Sequence, residues 1–379
     1  MAMLDGIKVI ELGQNLAGPY ASQILGDLGA QVIKVEKPGG DDARGWGPPF
    51  AKDGVAIAFH TINRGKRSVV LDLSRAEDVA ALKELVKDAD IFVHNMRPGA
   101  PDKIGIGPSQ LRALNPRLIY CDISAFGHKG PLEGRPGYEP LLQAFGGLVS
   151  VNGDPSSPPA RMGASVIDFG TGMWTALGAL AALQQRHRTG QGCVVNTSLF
   201  ETALGWAGSH IATFAATGKL PERQSTGHAS LTPYQAFQTT NGPLVITAGN
   251  DRLFAKLAKV LGHGEWADDA RFRTNRDRMA HRAQVIAMVQ VAIATDSKEN
   301  WAEKLEAVGV PCAPINDIAE VHDHAQTAAL GVMQTNAATG VTSWVAPLSF
   351  DGQRAAYGSP APALGADTDA VLERNKAAE

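Results

Sequence analysis

Between Met162 and Arg186 the chain reads MGASVIDFGTGMWTALGALAALQQR, an apolar, glycine-rich run with a single acid, Asp168. No lysine or arginine occurs in it before Arg186, so nothing nearby in sequence pairs that carboxylate. Aspartate is a favoured N-cap, and FGTGMWTALGALAAL has the composition of the helix it would cap. The same position suits chemistry. A helix dipole and the free amides of a first turn favour an ionised carboxylate even in an apolar pocket. Gly163, Gly170 and Gly172 flank the acid and would let a bulky ligand approach closely. An ionised, poorly hydrated carboxylate is a usable nucleophile.

The elements that must position Asp168 follow from the pattern upstream and downstream. IKVIEL, QVIKVEK, RSVVLDL, IFVHN and RLIYCDIS read as strands. YASQILGDLG, RAEDVAALKELVKDA and SQLRALN read as the helices between them, with Ser74 capping the second. This βαβ rhythm predicts an α/β, doubly wound parallel sheet. From Gly127 to Ala160 glycine and proline become dense, as in loops at the carboxyl ends of strands, where open α/β sheets bind ligands. A helix from Phe169, the turn RTGQG, a strand CVVNTSLF and one long helix ETALGWAGSHIATFAATG follow. PLVITAGN, RLFAKLAKVLG and the charged helices of 267–306 form a smaller α+β unit. The expected organisation is a large domain over 1–200, a linker over 201–224 and a small domain over 225–312. Residues 313–379 form a C-terminal segment returning to the large domain.

Composition narrows the function. The 379 residues are 44% hydrophobic and 19% charged with net charge −3, ordinary for a soluble globular protein and unlike a nucleic-acid binder. No apolar run approaches the roughly 20 residues of a membrane span, and MAMLDGIKVIEL lacks a signal-peptide pattern. Cys121, Cys193 and Cys312 form neither a CxxC pair nor a disulfide framework, which fits a reducing cytoplasm. The turn GQNLAGP reads G-x-x-x-x-G, not the GxGxxG of dinucleotide-binding proteins, so a nicotinamide oxidoreductase is disfavoured even with Glu36 where a ribose-binding acid would stand. GxxxxGK[ST], GxSxG and HExxH are missing, and His322 and His324 in VHDHAQ read as a solvated helix face, not a metal site.

The segment LDGIKVIELGQNLAGPYASQILGDLGAQVIKVEKPGGDDAR resembles the opening of the class III CoA-transferases, the family also named after formyl-CoA transferase and carnitine CoA-transferase. The resemblance continues through NRGKRSVVLDL, DIFVHNMRPGAPDKIGI, NPRLIYCDISAFGHKGP, RPGYEPLLQAFGGL, ALQQRHRTGQG and PYQAFQTTNGPLVITAGND to GVPCAPIND, nearly the whole chain in order. Gly163, Asp168 and Gly172 match the family's G-x-x-x-x-D-x-x-x-G context, so the resemblance implies that Asp168 is the catalytic residue. It implies an aspartyl anhydride with the donor acid, then an aspartyl-CoA thioester, with coenzyme A as substrate and no permanently bound cofactor, ATP or metal.

The resemblance also implies roles for the neighbours. Tyr138 and Glu139 match active-site positions that hydrogen-bond substrate or intermediate. Gln14, Asn15, Leu16 and Ala17 would contact CoA, and Lys37, Arg44, Asn95, Met96, Arg97 and Lys103 would line its nucleotide end. Gly227 and His228 fall in the loop that covers the site. Formyl-CoA transferase has a run of glycines there, so the shorter form here points away from formyl-CoA and oxalate and toward succinyl-CoA or another dicarboxylic acyl donor. The family further implies an interlocked homodimer. α-Methylacyl-CoA racemases share the fold but carry His-Asp in place of Tyr138-Glu139, and a tyrosine is a poor base near neutral pH. Racemase or epimerase chemistry, with Asp168 as a base, is the alternative; a non-catalytic CoA-binding protein is another.

Overall fold

In a computed structural model, which describes residues 2–376, the first strands carry apolar runs instead of alternation. Val9, Ile10, Ile33, Val35, Ile91, Phe92 and Val93 are all buried, as in parallel strands covered on both faces. The strands are β1 (Lys8–Leu12), β2 (Gln31–Glu36), β3 (Arg67–Val70), β4 (Ile91–His94), β5 (Ile119–Ser124) and β6 (Val194–Ser198). They form one sheet in the order β3-β2-β1-β4-β5-β6, and every neighbouring pair is parallel. The expected doubly wound α/β sheet is present. Its strand order switches between β1 and β4, the place beyond whose carboxyl ends such sheets take ligands.

Helices α1 (Ala17–Asp27), α2 (Ile57–Asn63), α3 (Ala76–Lys87), α4 (Ala100–Lys103) and α5 (Pro108–Leu114) lie in the crossovers from β1 to β5. Between β5 and β6 come α6 (Glu139–Phe145), α7 (Leu148–Val151) and α8 (Val166–Thr189), and α9 (Leu199–Trp206) and α10 (Gly208–Thr217) follow β6. One apolar cluster joins Val9, Val32 and Val93 to Leu25 of α1 and Ala176 and Ala179 of α8. Another joins Ile10, Ile33 and Phe92 to Leu82 and Leu85 of α3. Thus α1 and α8 cover one face of the sheet and α3 the other.

Three local expectations change. Ser74 does not cap α3: its hydroxyl donates to Asp72 at 2.7 Å, and Arg75 occupies the cap position without a side-chain bond. The strand CVVNTSLF stops at Ser198, whose hydroxyl accepts the Glu201 amide at 3.1 Å and so begins α9. The single long helix expected from Glu201 divides at Ala207, between Gly205 and Gly208, residues that weaken a helix interior.

The chain divides into two compact units, Met1–Leu148 with Arg161–Ile211 and Ala325–Glu379, and Val149–Ala160 with Ala212–His324. These bounds differ from the expected 200, 225 and 312. The linker is shared at Ile211, and the excursion Val149–Ala160 belongs with the second unit. In the second unit β7 (Tyr234–Thr239), β8 (Gly242–Thr247) and β9 (Cys312–Pro314) form an antiparallel sheet over a core of Phe237, Phe254, Leu257 and Trp301. The end of the chain rejoins the first unit: Asp367 accepts from Arg67 Nε and from the Ser68 amide, both at 3.0 Å, on β3.

Buried charge ties the first three strands together. Glu11 on β1 stands in register with Lys34 on β2, and both side chains have 0% exposure. Lys34 Nζ lies 2.8 Å from Glu11 Oε1, 2.9 Å from Asp41 Oδ2 and 2.8 Å from the Gly13 carbonyl. Lys66, just before β3, lies 2.7 Å from Glu11 Oε2. Burial alone would raise the Glu11 pKa; Lys34 and Lys66 reverse this and bring it down to about 2. Burial brings Lys66 down to about 8 against the pull of Glu11.

Removing one member should be costly, because the others stay buried and under-compensated. Glu11→Gln is expected to destabilise the protein by about 3–5 kcal/mol in urea unfolding near neutral pH. Because Glu11 titrates below an ordinary carboxyl, its contribution is full at neutral pH and is lost as pH falls toward about 2. The difference from the parent chain should therefore narrow on acidification. A cost below about 1 kcal/mol at neutral pH would contradict this view of the network.

Candidate active site

The turn after β1 sits at the switch point and is held from both sides. Asn95, just after β4, accepts the Gln14 amide at 2.9 Å and donates to the Gln14 carbonyl at 2.7 Å. On the other side the Asn15 amide donates to Asp41 Oδ1 at 3.1 Å, and Lys34 holds the Gly13 carbonyl. Asn15 takes a left-handed conformation with φ 67°, which asparagine tolerates better than most residues. The buried charge network therefore shapes the turn itself. Gln14, Asn15, Leu16 and Ala17, with Asn95, Met96 and Arg97, line a cavity of about 630 Å³.

Asp168 reaches the same cavity from the start of α8. It is not the helix cap. Ser165 holds the cap position without a side-chain bond, and Asp168 stands in the first turn. The cap comes from α6: Glu139 Oε2 accepts the Asp168 amide at 2.8 Å, and Oε1 accepts the Ile167 amide at 3.3 Å. A carboxylate suits these free first-turn amides and the positive end of the helix. Gln143 braces the arrangement. Its Nε2 donates to Glu139 at 2.7 Å, and its two amide atoms bond the Met162 amide at 2.8 Å and carbonyl at 3.3 Å.

This geometry overturns the expectation that the helix start keeps the carboxylate ionised. Burial, and then the charge of Glu139, push Asp168 up to about 7, and no donor offsets them. Gly163 faces open space as expected, but the other two glycines act differently from expectation. A Cβ at Gly172 would lie 2.8 Å from the Ala17 carbonyl of α1, and one at Gly170 would lie 2.9 Å from Thr202 of α9. They let helices close around Asp168; neither opens space for a ligand. Over its 24 residues α8 is long and apolar enough to cross a membrane by length and composition. In this fold its buried face packs on α1, α9 and β6.

Tyr138 and Glu139 also line the cavity. Glu139 is buried, whereas Tyr138 is 68% exposed. Three expected basic residues stand outside the lining. Lys37 pairs with Asp42 at 2.6 Å, and Lys103 is the exposed last residue of α4. Arg44 grips Glu36 through Nε at 2.8 Å and Nη2 at 2.7 Å and donates to the Pro362 carbonyl, so its fork is fully engaged in the fold. Gly227 and His228 belong to the second unit. There the His228 ring accepts the Ser230 amide at 3.1 Å, and its carbonyl accepts Arg282 Nη1 at 2.8 Å. The lining adds residues that the sequence reading passed over: Trp46, Arg135, Arg161 and Ser165. Arg135 and Arg161 sit in the glycine- and proline-rich loops that lead into Glu139 and Asp168 respectively, and that nearness was the available signal.

Asp168 carries a stability cost that pH should reveal. Below the ordinary carboxyl pKa the group is neutral whether the chain is folded or unfolded. As pH rises toward about 7 only the unfolded chain ionises, and stability is lost. The D168N variant is expected to melt at least about 2 °C above the parent near pH 8, with the gap closing near pH 4. An equal Tm near pH 8, measured by scanning calorimetry, would mean that the carboxylate is not strained by burial.

The chain matches CoA-transferase family III over residues 4–368. A succinate–glutarate CoA-transferase of Agrobacterium fabrum is 36% identical over 378 residues, spanning 97% of this chain and 94% of that protein. An acetyl-CoA:oxalate CoA-transferase of Acetobacter aceti is 39% identical over 331 residues, spanning 87% of this chain and 85% of that one. Among solved structures, a CAIB/BAIF family protein from Brucella suis is similar with a TM-score of 0.87 and 38% identity, covering 98% of this chain and 99% of that chain. On this match the chain belongs to CoA-transferase family III and is a CoA-transferase.

Proposed function

We propose that the enzyme moves CoA reversibly from a dicarboxylic acyl-CoA of the succinyl type to a free carboxylic acid through covalent intermediates on Asp168. The observation that carries this reading is the placement of Asp168. Its amide is clamped by Glu139, while among the described residues its carboxylate has no donor, and it opens on the cavity that the β1–α1 turn lines. Such a carboxylate is poorly hydrated and free to react.

In the first step an Asp168 oxygen attacks the thioester carbonyl; the C–S bond breaks and CoA leaves as thiolate, giving a mixed anhydride. The thiolate then attacks the Asp168 carbonyl, the donor acid departs as carboxylate, and an aspartyl-CoA thioester remains. An acceptor carboxylate attacks that thioester to give a second anhydride and thiolate. Attack of the thiolate on the acceptor acyl carbon releases the new acyl-CoA and restores Asp168. Acyl activation is retained throughout. Glu139 keeps the nucleophile's backbone in place, and the Tyr138 hydroxyl can donate to a substrate carboxylate. Water must be kept from the anhydride.

The succinate in the name of the Agrobacterium relative supports a succinyl donor. The Acetobacter relative's name instead joins acetyl-CoA, a monocarboxylic acyl-CoA, to the dicarboxylic acid oxalate. The working form in this proposal is the homodimer. Helix α10 has no buried residue, with Ile211 and Phe214 exposed, and Met173, Trp174 and Trp206 form further apolar surface on α8 and α9; surface of this kind calls for a cover. Free Cys121, Cys193 and Cys312 fit a reducing cytoplasm. A second reading has one observation in its favour. An acid titrating at about 7 is suited to general-base work, as a racemase would need. Tyr138, in the place of that enzyme's second base, speaks against it.

Two experiments test the reading. After incubation with acyl-CoAs and a hydroxylamine quench, peptide mass spectrometry should find a hydroxamate on the Asp168 peptide, absent from the D168A variant. No adduct with any donor, together with solvent deuterium at the α-carbon of a 2-methylacyl-CoA, would replace transfer by racemisation. Because Asp168 must ionise to attack, kcat/KM should rise with pH through about 7. Glu139→Gln removes a neighbouring charge and should move that inflection to lower pH; an unmoved inflection would exclude Glu139 as a cause.

A further inference from the structure

Besides its two acids, Glu139 and Asp168, the cavity is lined by three arginines, Arg97, Arg135 and Arg161. Elsewhere in the first unit Arg44 pairs with Glu36, Arg64 with Asp27 and Arg186 with Asp90, whereas Arg112 and Arg117 bond backbone carbonyls. Among the described residues none of the three cavity arginines has an acid within ion-pair distance. They leave positive charge in a site whose substrates are anions.

Position separates their roles. Arg97 follows the Asn95 that clamps the β1–α1 turn, so it belongs to the turn end of the cavity. Arg135 lays its guanidinium over the Phe126 ring at 5.4 Å. Arg161 belongs to the nucleophile end. Its neighbour Met162 is held by Gln143, which holds Glu139, which holds the Asp168 amide. The partner the described residues give the Arg161 guanidinium is the adjacent Met162 carbonyl, 3.2 Å from Nη1.

CoA carries its phosphates on the nucleotide, far from the thioester. An anion beyond the thioester, on the acyl side, exists only when the acyl group has a second carboxylate. In a site with two protein carboxylates beside the thioester, such an acyl group needs a local cation to offset repulsion. A guanidinium fork matches a carboxylate through two hydrogen bonds.

We propose that Arg161 binds the distal carboxylate of a dicarboxylic acyl group and thereby sets the preference for dicarboxylic over monocarboxylic acyl-CoA. This rests on Asp168 as nucleophile and adds the residue that recognises the acyl tail. Arg161 is a specificity residue; it takes no part in bond making.

The test compares succinyl-CoA with butyryl-CoA, acyl groups of equal chain length, at a saturating, fixed acceptor. The parent enzyme is expected to favour succinyl-CoA in kcat/KM. In R161Q that preference should collapse by at least about tenfold, mainly through the succinyl value, with butyryl-CoA changed by less than about threefold. R161K should recover part of the preference, since a point charge replaces the fork. An unchanged ratio in R161Q, an equal fall for both donors, or a parent enzyme with no preference would each overturn the assignment. Hydroxylamine trapping on Asp168 keeps the two readings apart. If the parent traps no adduct with either donor, the covalent mechanism fails; if both variants still trap adducts at the parent's donor ratio, only the role of Arg161 fails.

Discussion

The Glu11–Lys34 pair is the constraint on which the first unit depends. Two charges without solvent exposure have to satisfy one another, and neither can leave without stranding the rest. Because Lys34 also binds Asp41 and the Gly13 carbonyl, the pair carries the interior of the sheet out to its carboxyl edge. Asp41 then fixes the Asn15 amide in a left-handed turn. A strand pair, a buried charge network and the β1–α1 turn are thus one mechanical object. An apolar core would have packed the strands, but it would not have aimed the turn.

The second half of the site is built by helix contacts. Gly172 allows α8 to approach α1, and Gly170 allows α9 to approach α8. That closeness removes water from the start of α8, where Asp168 stands. Glu139 then replaces the missing cap with a charged group from another helix. The consequence is a conflict between neighbouring carboxylates: the group that stabilises the helix start raises the pKa of the acid beside it. Local stability yields to reactivity at this point, as in sites where burial and like charge are used to tune an acid.

These two halves meet at the strand-order switch, with Asn95 from β4 joining them to the rest of the sheet. The strand order is the one that elsewhere carries dinucleotides, yet the turn lacks their glycine fingerprint. Here the turn is held by side chains, Asn95 and Asp41, instead of by close glycine packing against a pyrophosphate. A shared topology therefore carries a turn held in a different way.

Much of this was legible in the sequence. The alternation of strand and helix patterns announced a doubly wound parallel sheet, and a lone acid before a helix marked Asp168. The sequence likewise showed no lysine or arginine between Met162 and Arg186 to pair with that acid. It did not show that Glu139, distant in sequence, would cap α8, because a cap supplied from another helix leaves no periodic trace. Nor did it show that Arg44 would be engaged by Glu36 while Arg161 bonded only the adjacent Met162 carbonyl among the described residues, since isolated arginines in loops look alike until their neighbours are placed. Local pattern follows from each residue's own preferences and is written along the chain. Burial, pairing and the resulting pKa of Asp168 depend on residues that only folding brings within a few ångströms, so the tertiary structure alone decided them.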